Sequence, residues 1–310
     1  MAEAVLVLTE NSTLVPPRDL RALVRMAAVA EEAGVGTVML SEHVVMGASA
    51  GAAGRMANPR DYAAPGNQDP ATPWPDTIVL ASAIAAETSR VRIALAAIIA
   101  PLRHPLLLAK QLATLDLLSQ GRLIVQPTVS WSSEEYAALG VPFEQRGAIL
   151  DEQLQAMHAA WTSSPASFEG RFFAFDDAWL EPKPFREDGP RMWFGGQRVH
   201  DAMLRRLVRY GSGFHPFGTP TDDDLGRIRS ALRDAGRDPD QLEMIGGIRG
   251  SFPAGGGVAD LGAAMASIPG QVERGFTAIC FKPSMFTDDP TEVGDICRRV
   301  VERIESATAH

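Results

Sequence analysis

The sequence predicts an α/β chain folded as a (β/α)8 TIM barrel, a single domain over residues 1–310. Apolar runs of strand length alternate with helix-period segments along the whole chain. The alternation reaches eight of each, and no Gly-x-Gly-x-x-Gly follows the first run. Eight repeats favour a closed barrel, and the missing glycine signature argues against the alternative, a doubly wound dinucleotide-binding sheet. At this length a globular chain removes about three quarters of its unfolded surface from water.

The elements follow in order. Ala4 to Thr9 is the first strand. Asp19 to Ala33 is a helix with Leu20, Leu23, Val24, Ala27 and Ala30 at helical spacing, and Gly34 ends it. Val35 to Leu40 is the second strand. Val44 to Pro75 carries five prolines and four glycines and reads as a lid over the site, because structureless segments this long in compact domains are usually functional. Asp76 is an expected N-cap for a helix reaching Thr88. Val91 to Ile99 is the third strand, a continuous apolar run suited to burial on both faces. Pro105 opens the next helix, with Leu108, Leu112, Leu115 and Leu118 as its buried stripe. Leu123 to Val129 is the fourth strand, and Leu150, Leu154, Met157 and Trp161 mark the helix after it. Ser167 to Phe175 alternates in polarity around Gly170 and reads as a small inserted hairpin.

The second half continues the pattern. Arg191 to Phe194 is the fifth strand, followed by a helix through Val199, Met203 and Leu207. Gly213 to Phe217 is the sixth strand, with Leu225, Ile228 and Leu232 in its helix. Met244 to Ile248 is the seventh strand, and Leu261 to Ile268 its helix. Phe276 to Phe281 is the eighth strand, and Val293, Ile296, Val300 and Ile304 mark the closing helix.

Charge and composition narrow the function. With 38 acidic against 29 basic residues, the net charge is −9. A nucleic-acid partner would need a basic face, so a small-molecule substrate is expected. Two cysteines, Cys280 and Cys297, are too few for a disulfide scaffold and fit a reducing cytoplasm. The N-terminus lacks the basic start of a signal peptide, and no apolar run is long enough to span a membrane. No His-x-His or His-Glu-x-x-His spacing points to a metal, and no Gly-x-Ser-x-Gly elbow points to a serine triad.

In a barrel, chemistry collects where strands end and the following loops begin. The second strand ends in Ser41-Glu42-His43. A polar triplet directly after an apolar strand is costly unless it faces a cleft, and imidazole exchanges protons near neutral pH, so His43 is the strongest catalytic candidate. The fifth strand runs into Gly195-Gly196 before a helix, with Arg198 adding positive charge, an arrangement suited to phosphate. Gly255 to Gly257 is a second possible phosphate nest. His104, Arg103 and His215 also fall at strand ends. Lys282, ending the eighth strand, permits a Schiff-base reading if its pocket is dry.

At these positions the chain resembles the bacterial luciferase-like superfamily, and within it the branch dependent on the deazaflavin coenzyme F420. The matching stretches are TPWPDTIVLASAIAAETSRVRI, PLRHPLLLAKQLATLDLLSQGRL, SWSSEEYAALGVPFEQRGAILDE, FEGRFFAF and MWFGG. The resemblance implies a barrel with a flavin or deazaflavin at its C-terminal mouth and a homodimer. It assigns the acidic-His pair to Glu42-His43, and a bulge in the third strand, often with a non-proline cis peptide against the ring, to Ala96, Ala97 and Ile98. It assigns further cofactor contacts to Thr128, Ser130 and Trp131, and the phosphate-holding pair to Gly195-Gly196, with Arg198 nearby. The chain departs from the family where Gln126-Pro127-Thr128-Val129-Ser130 replaces a glycine-rich run and Ala94-Leu95-Ala96-Ala97 replaces Gly-Thr-Gly-Val. The resemblance thus implies an F420-dependent oxidoreductase. The alternatives are a monooxygenase using reduced FMN, a barrel that has lost its cofactor and acts as a binding protein, and a lyase built on Lys282.

Overall fold

A computed structural model describes residues 2–309. Its strands are β1 (Glu3–Val7), β2 (Thr37–Leu40), β3 (Arg92–Ile99), β4 (Leu123–Thr128), β5 (Ala166–Glu169), β6 (Ala174–Ala178), β7 (Arg191–Phe194), β8 (Gly213–Phe214), β9 (Glu243–Gly247) and β10 (Ala278–Phe281). All but β5 and β6 close into a parallel barrel in the order β1-β10-β9-β8-β7-β4-β3-β2. The expected (β/α)8 barrel is therefore present. β5 and β6 pair antiparallel outside it, as the expected hairpin.

The helices are α1 (Leu20–Glu32), α2 (Thr77–Glu87), α3 (Pro105–Leu118), α4 (Ser133–Ala138), α5 (Arg146–Thr162), α6 (Asp201–Tyr210), α7 (Asp222–Asp234), α8 (Leu261–Met265), α9 (Ile268–Glu273) and α10 (Val293–Thr308). Local chemistry sets their ends. Asp19 and Asp76 accept from backbone N–H groups in the first turns of α1 and α2, as N-caps do. Gly34 and Gly121 follow α1 and α3 with φ of +88° and +76°, a conformation that glycine adopts at little cost.

Side chains on the strands alternate between two cores. Val5, Val7, Met39, Ala94, Ile124 and Trp193 fill the barrel interior. Leu6, Val38, Leu40, Leu95 and Ile98 point outward and pack under the helices. The fully buried Leu108 and Leu112 of α3 belong to that outer layer and each contributes about 1.5–3 kcal/mol. At the N-terminal floor, Arg92 pairs with Glu3 and, at 2.8 Å, with Glu243, which also meets Arg191 at 2.9 Å. This network lies at the end of the barrel associated with stability, away from the mouth.

Two expectations need correction, and one helix is additional. Leu118 lies in the last turn of α3 and is 48% exposed, so the buried stripe stops at Leu115. The helix expected over Leu261 to Ile268 is two short ones, because Pro269 cannot donate a backbone hydrogen bond and the chain restarts at Ile268. α4 was not expected at all.

Candidate active site at the barrel mouth

Three adjacent strands, β2, β3 and β4, build one side of the C-terminal mouth. β3 carries the cis Ala96–Ala97 peptide, and its pairing with β4 shifts register between Ala96 and Ile98. The bulge therefore falls where the resemblance places it. Ala96 faces the barrel interior, Ala97 is half-buried, and Ile98 turns its side chain into the outer core. Ile98 can thus offer only backbone to a ligand.

Glu42 and His43, neighbours in sequence, have opposite surroundings. The Glu42 side chain is 1% exposed and wholly engaged. One oxygen accepts from the Ile99 N–H (2.9 Å) and from Arg103 (2.8 Å). The other accepts from the Thr77 hydroxyl (2.9 Å) and from Arg103 (2.7 Å). A bidentate guanidinium and two further donors leave Glu42 no free acceptor position for a substrate.

The His43 ring makes T-shaped contacts with Trp74 (5.2 Å between centroids) and Trp131 (5.7 Å). Its Nδ1 lies 3.5 Å from Oε2 of Glu135 on α4. Its Nε2 has no hydrogen-bond partner among the described residues and is not one of the sealed polar atoms. His43 therefore keeps one nitrogen free for a reacting group.

Glu135 escaped the sequence reading, although a signal was there. Ser132-Ser133-Glu134-Glu135 has the Ser-x-x-Glu form of a capping box. Ser132 does cap α4 by accepting the Glu135 N–H, at 3.3 Å. The Glu135 carboxylate turns elsewhere, accepting from the Val44 N–H (2.6 Å), the Val45 N–H (3.3 Å) and the Ser130 hydroxyl (3.2 Å). Ser130 holds φ of +56°, a left-handed conformation uncommon for residues other than glycine. Thr128, Ser130 and Trp131 are all half-buried around this rim.

The other side of the mouth is β7 and β8. A Cβ on Gly195 would stand 1.7 Å from the His215 carbonyl oxygen, so this glycine is required by the β8 backbone. A Cβ on Gly196 would meet nothing within 4 Å; its carbonyl accepts from the Phe217 N–H at 3.0 Å, while its own N–H has no partner among the described residues. Arg198 is exposed and forms no ion pair among the described residues. His215 is buried, with Nδ1 2.7 Å from the Gln126 side-chain oxygen, and burial lowers its pKa to about 4. Gln126 thus occupies the space that a glycine-rich β4 would leave empty.

The 44–75 excursion lies across the mouth. It reaches the segments that follow β1, β4, β9 and β10 through Ala63–Glu10, Val44–Glu135, Asn58–Gly257 and Arg60–Asp288 hydrogen bonds. The Asn58 contact ties down the 255–257 glycine loop. Beneath the excursion is a cleft of about 270 Å³, lined among others by Thr9, Glu10, Met56, Pro73, Trp74 and Lys282. Lys282 donates to the Asp61 carbonyl (2.7 Å), lies 3.9 Å from Glu10, and is held below the usual lysine range by burial. Both cysteines are free and buried. No cluster that could hold a metal ion occurs among the described residues, and none of their helices is long and apolar enough to cross a membrane.

Residues 1–249 match the family model described as luciferase-like monooxygenase. An uncharacterized protein of Mycobacterium tuberculosis is 36% identical over 171 residues, 54% of this chain and 57% of that protein. The match thus spans little more than half the length of that relative. The FMNH(2)-dependent dimethylsulfone monooxygenase of Pseudomonas putida is 33% identical over 124 residues, 39% of this chain and 34% of that one. Among solved structures, the coenzyme F420 dependent tetrahydromethanopterin reductase of Methanopyrus kandleri superposes with a TM-score of 0.68 at 13% identity, over 97% of this chain and 98% of that one. This last likeness is one of fold.

Proposed function

The chain belongs to the luciferase-like monooxygenase family, and from that premise we propose that it is an oxidoreductase using coenzyme F420 to reduce or oxidise a small organic molecule at the barrel mouth. The observation that carries the reading is the His43 imidazole, nearly buried but with Nε2 unpartnered, in the loop that follows β2 beside the small-residue wall of Ala96 and Ala97 on β3. Alanines let a flat ring approach the backbone, and the imidazole supplies a proton donor or acceptor beside it.

The residues present fit a deazaflavin. Gly196 keeps its N–H without a partner among the described residues, and the exposed Arg198 is free to meet a phosphate. When bound, the cofactor supplies two-electron hydride chemistry that no side chain here can perform. The chain does the rest. Gly196 and Arg198 anchor the phosphate, and Ala96, Ala97, Thr128, Ser130 and Trp131 bound the ring. The excursion excludes water, and the cleft beside Trp74 receives the substrate. His43 gives or takes one proton through Nε2. Glu42 holds β2, β3 and α2 together through Arg103, Ile99 and Thr77 and takes no part in proton transfer.

The Pseudomonas relative favours a second reading, a monooxygenase working with reduced FMN and oxygen. An oxidation screen separates the two. Reduced coenzyme F420 is incubated without oxygen with a panel of ketones and enones, and its reoxidation is followed by absorbance. Turnover without oxygen is expected. Turnover only with reduced FMN and oxygen would replace the first reading by the second.

A further inference from the structure

We propose that Glu135 is the positioning residue of the site. It holds neutral His43 in the tautomer with hydrogen on Nδ1, leaving a lone pair on Nε2 at the rim. The consequence for turnover rests on the proposed role of His43; the tautomer itself does not.

The argument is one of matching donors to acceptors. Glu135 is fully buried, and no lysine or arginine pairs with it among the described residues. Oε1 is taken by two backbone donors, Val44 N–H at 2.6 Å and Val45 N–H at 3.3 Å. Oε2 accepts from Ser130 at 3.2 Å and faces His43 Nδ1 at 3.5 Å. An ionised carboxylate can only accept, so a neutral imidazole facing it must offer Nδ1–H. Trp74 and Trp131 meet the ring in T-shaped contacts, and an indole N–H is a donor only, so neither nitrogen supplies a competing acceptor. The nearby Glu42 is occupied by Arg103. The spacing is long for a hydrogen bond, as acid–base pairs often are before substrate binds. The same carboxylate anchors the first two residues of the excursion, so the ring and the cover share one support.

This gives a sharp expectation for Glu135→Gln. The Val44 and Val45 N–H groups require an oxygen, so the side-chain carbonyl must take the Oε1 place. The amide NH₂ then faces His43 and donates to Nδ1, and the ring must move its hydrogen to Nε2. A change of one atom should invert the tautomer without altering size. Ser130 adapts by rotating its hydroxyl to accept.

The test is long-range ¹H–¹⁵N correlation spectroscopy on cofactor-free protein, on the alkaline plateau of the His43 titration, with His43→Ala used for assignment. Nδ1–H in the wild type and Nε2–H in Glu135→Gln is the expected result. Nε2–H in the wild type, or an unchanged tautomer in the variant, would overturn the proposal. The wild-type spectrum decides alone if the variant does not fold. Turnover of Glu135→Gln should fall roughly 100-fold or more at unchanged cofactor affinity, as when a catalytic histidine is held in the wrong tautomer. An inverted tautomer with normal turnover would support the positioning role and count against His43 as the proton carrier.

Discussion

His43 follows β2 and His215 follows β8, four strands apart in a ring of eight, so the two histidines stand on opposite sides of one mouth. Each presents Nδ1 to a side-chain oxygen, Glu135 in one case and Gln126 in the other. The settings differ in what the oxygen is and what the rest of the ring meets. His43 has a carboxylate partner, two T-shaped indole contacts and an unpartnered Nε2. His215 has a neutral amide partner and burial that lowers its pKa to about 4. The same residue type is therefore proposed to serve proton chemistry on one side, while it is sealed into packing on the other. What decides is the charge of its partner and its access to the mouth.

The contrast is broken most easily by exchanging its consequences. His43→Ala should lower turnover about 100-fold to 10,000-fold on whichever substrate the oxidation screen yields, with unfolding free energy nearly unchanged. His215→Ala should leave the chemical step far less affected and cost about 1–3 kcal/mol of stability, since it strands Gln126 in the barrel interior. Similar kinetic losses from both would erase the distinction.

A second contrast lies within the β2 side, between two buried carboxylates. Glu42 depends on one guanidinium, so Arg103→Met should destabilise by about 3–5 kcal/mol, the usual consequence of leaving a buried charge unpaired. Glu135 depends on neutral donors, and Glu135→Gln, which keeps most of them, should cost about 1 kcal/mol or less. Urea denaturation of the two variants checks the order, and a larger loss for Glu135→Gln would reverse the assignment.

The β8 side carries a pH signature. His215 binds its proton near pH 4 when folded and near 6.5 when unfolded. Between those values the unfolded chain holds more protons, so stability falls as pH falls. The contribution lost reaches about 3 kcal/mol at pH 4 and is fully present above pH 6.5. A His215→Gln variant should lack this component, and parallel stability curves for both proteins from pH 7 to 4 would contradict the sealed setting of His215.

The smallest expected effect separates the two glycines. Gly195→Ala forces a Cβ against the His215 carbonyl and should cost about 1–3 kcal/mol. Gly196→Ala meets open space and should change stability by no more than about 0.5 kcal/mol. Thermal unfolding of the pair checks this.

The barrel was legible because its evidence is local and repeated. Apolar periodicity, Asp19 and Asp76 as caps, and Gly34 and Gly121 after helices each act within a few residues. His43 was legible as a polar residue after an apolar strand. The partners were not. Glu135 lies 92 residues from His43, in a six-residue helix too short to show a period. Arg103 lies 61 residues from Glu42. A sequence does not show which carboxylate a fold will bring to which cation. The resemblance pairs Glu42 with His43, whereas the structure gives its carboxylate to Arg103, Ile99 and Thr77, none of which sequence adjacency can reveal. The role of Gly195 was equally hidden, since a turn that must pass another backbone and a turn that binds phosphate use the same residue.

The central claim is that the mouth holds a deazaflavin, with its phosphate at Gly196. The most direct test is an equilibrium titration of purified protein with coenzyme F420, followed by fluorescence quenching, alongside FMN and the Gly196→Val variant. Saturable F420 binding, tighter than FMN and weakened in a folded Gly196→Val protein, is the expected result. Absence of F420 binding, or identical affinity in wild type and variant, would contradict the account.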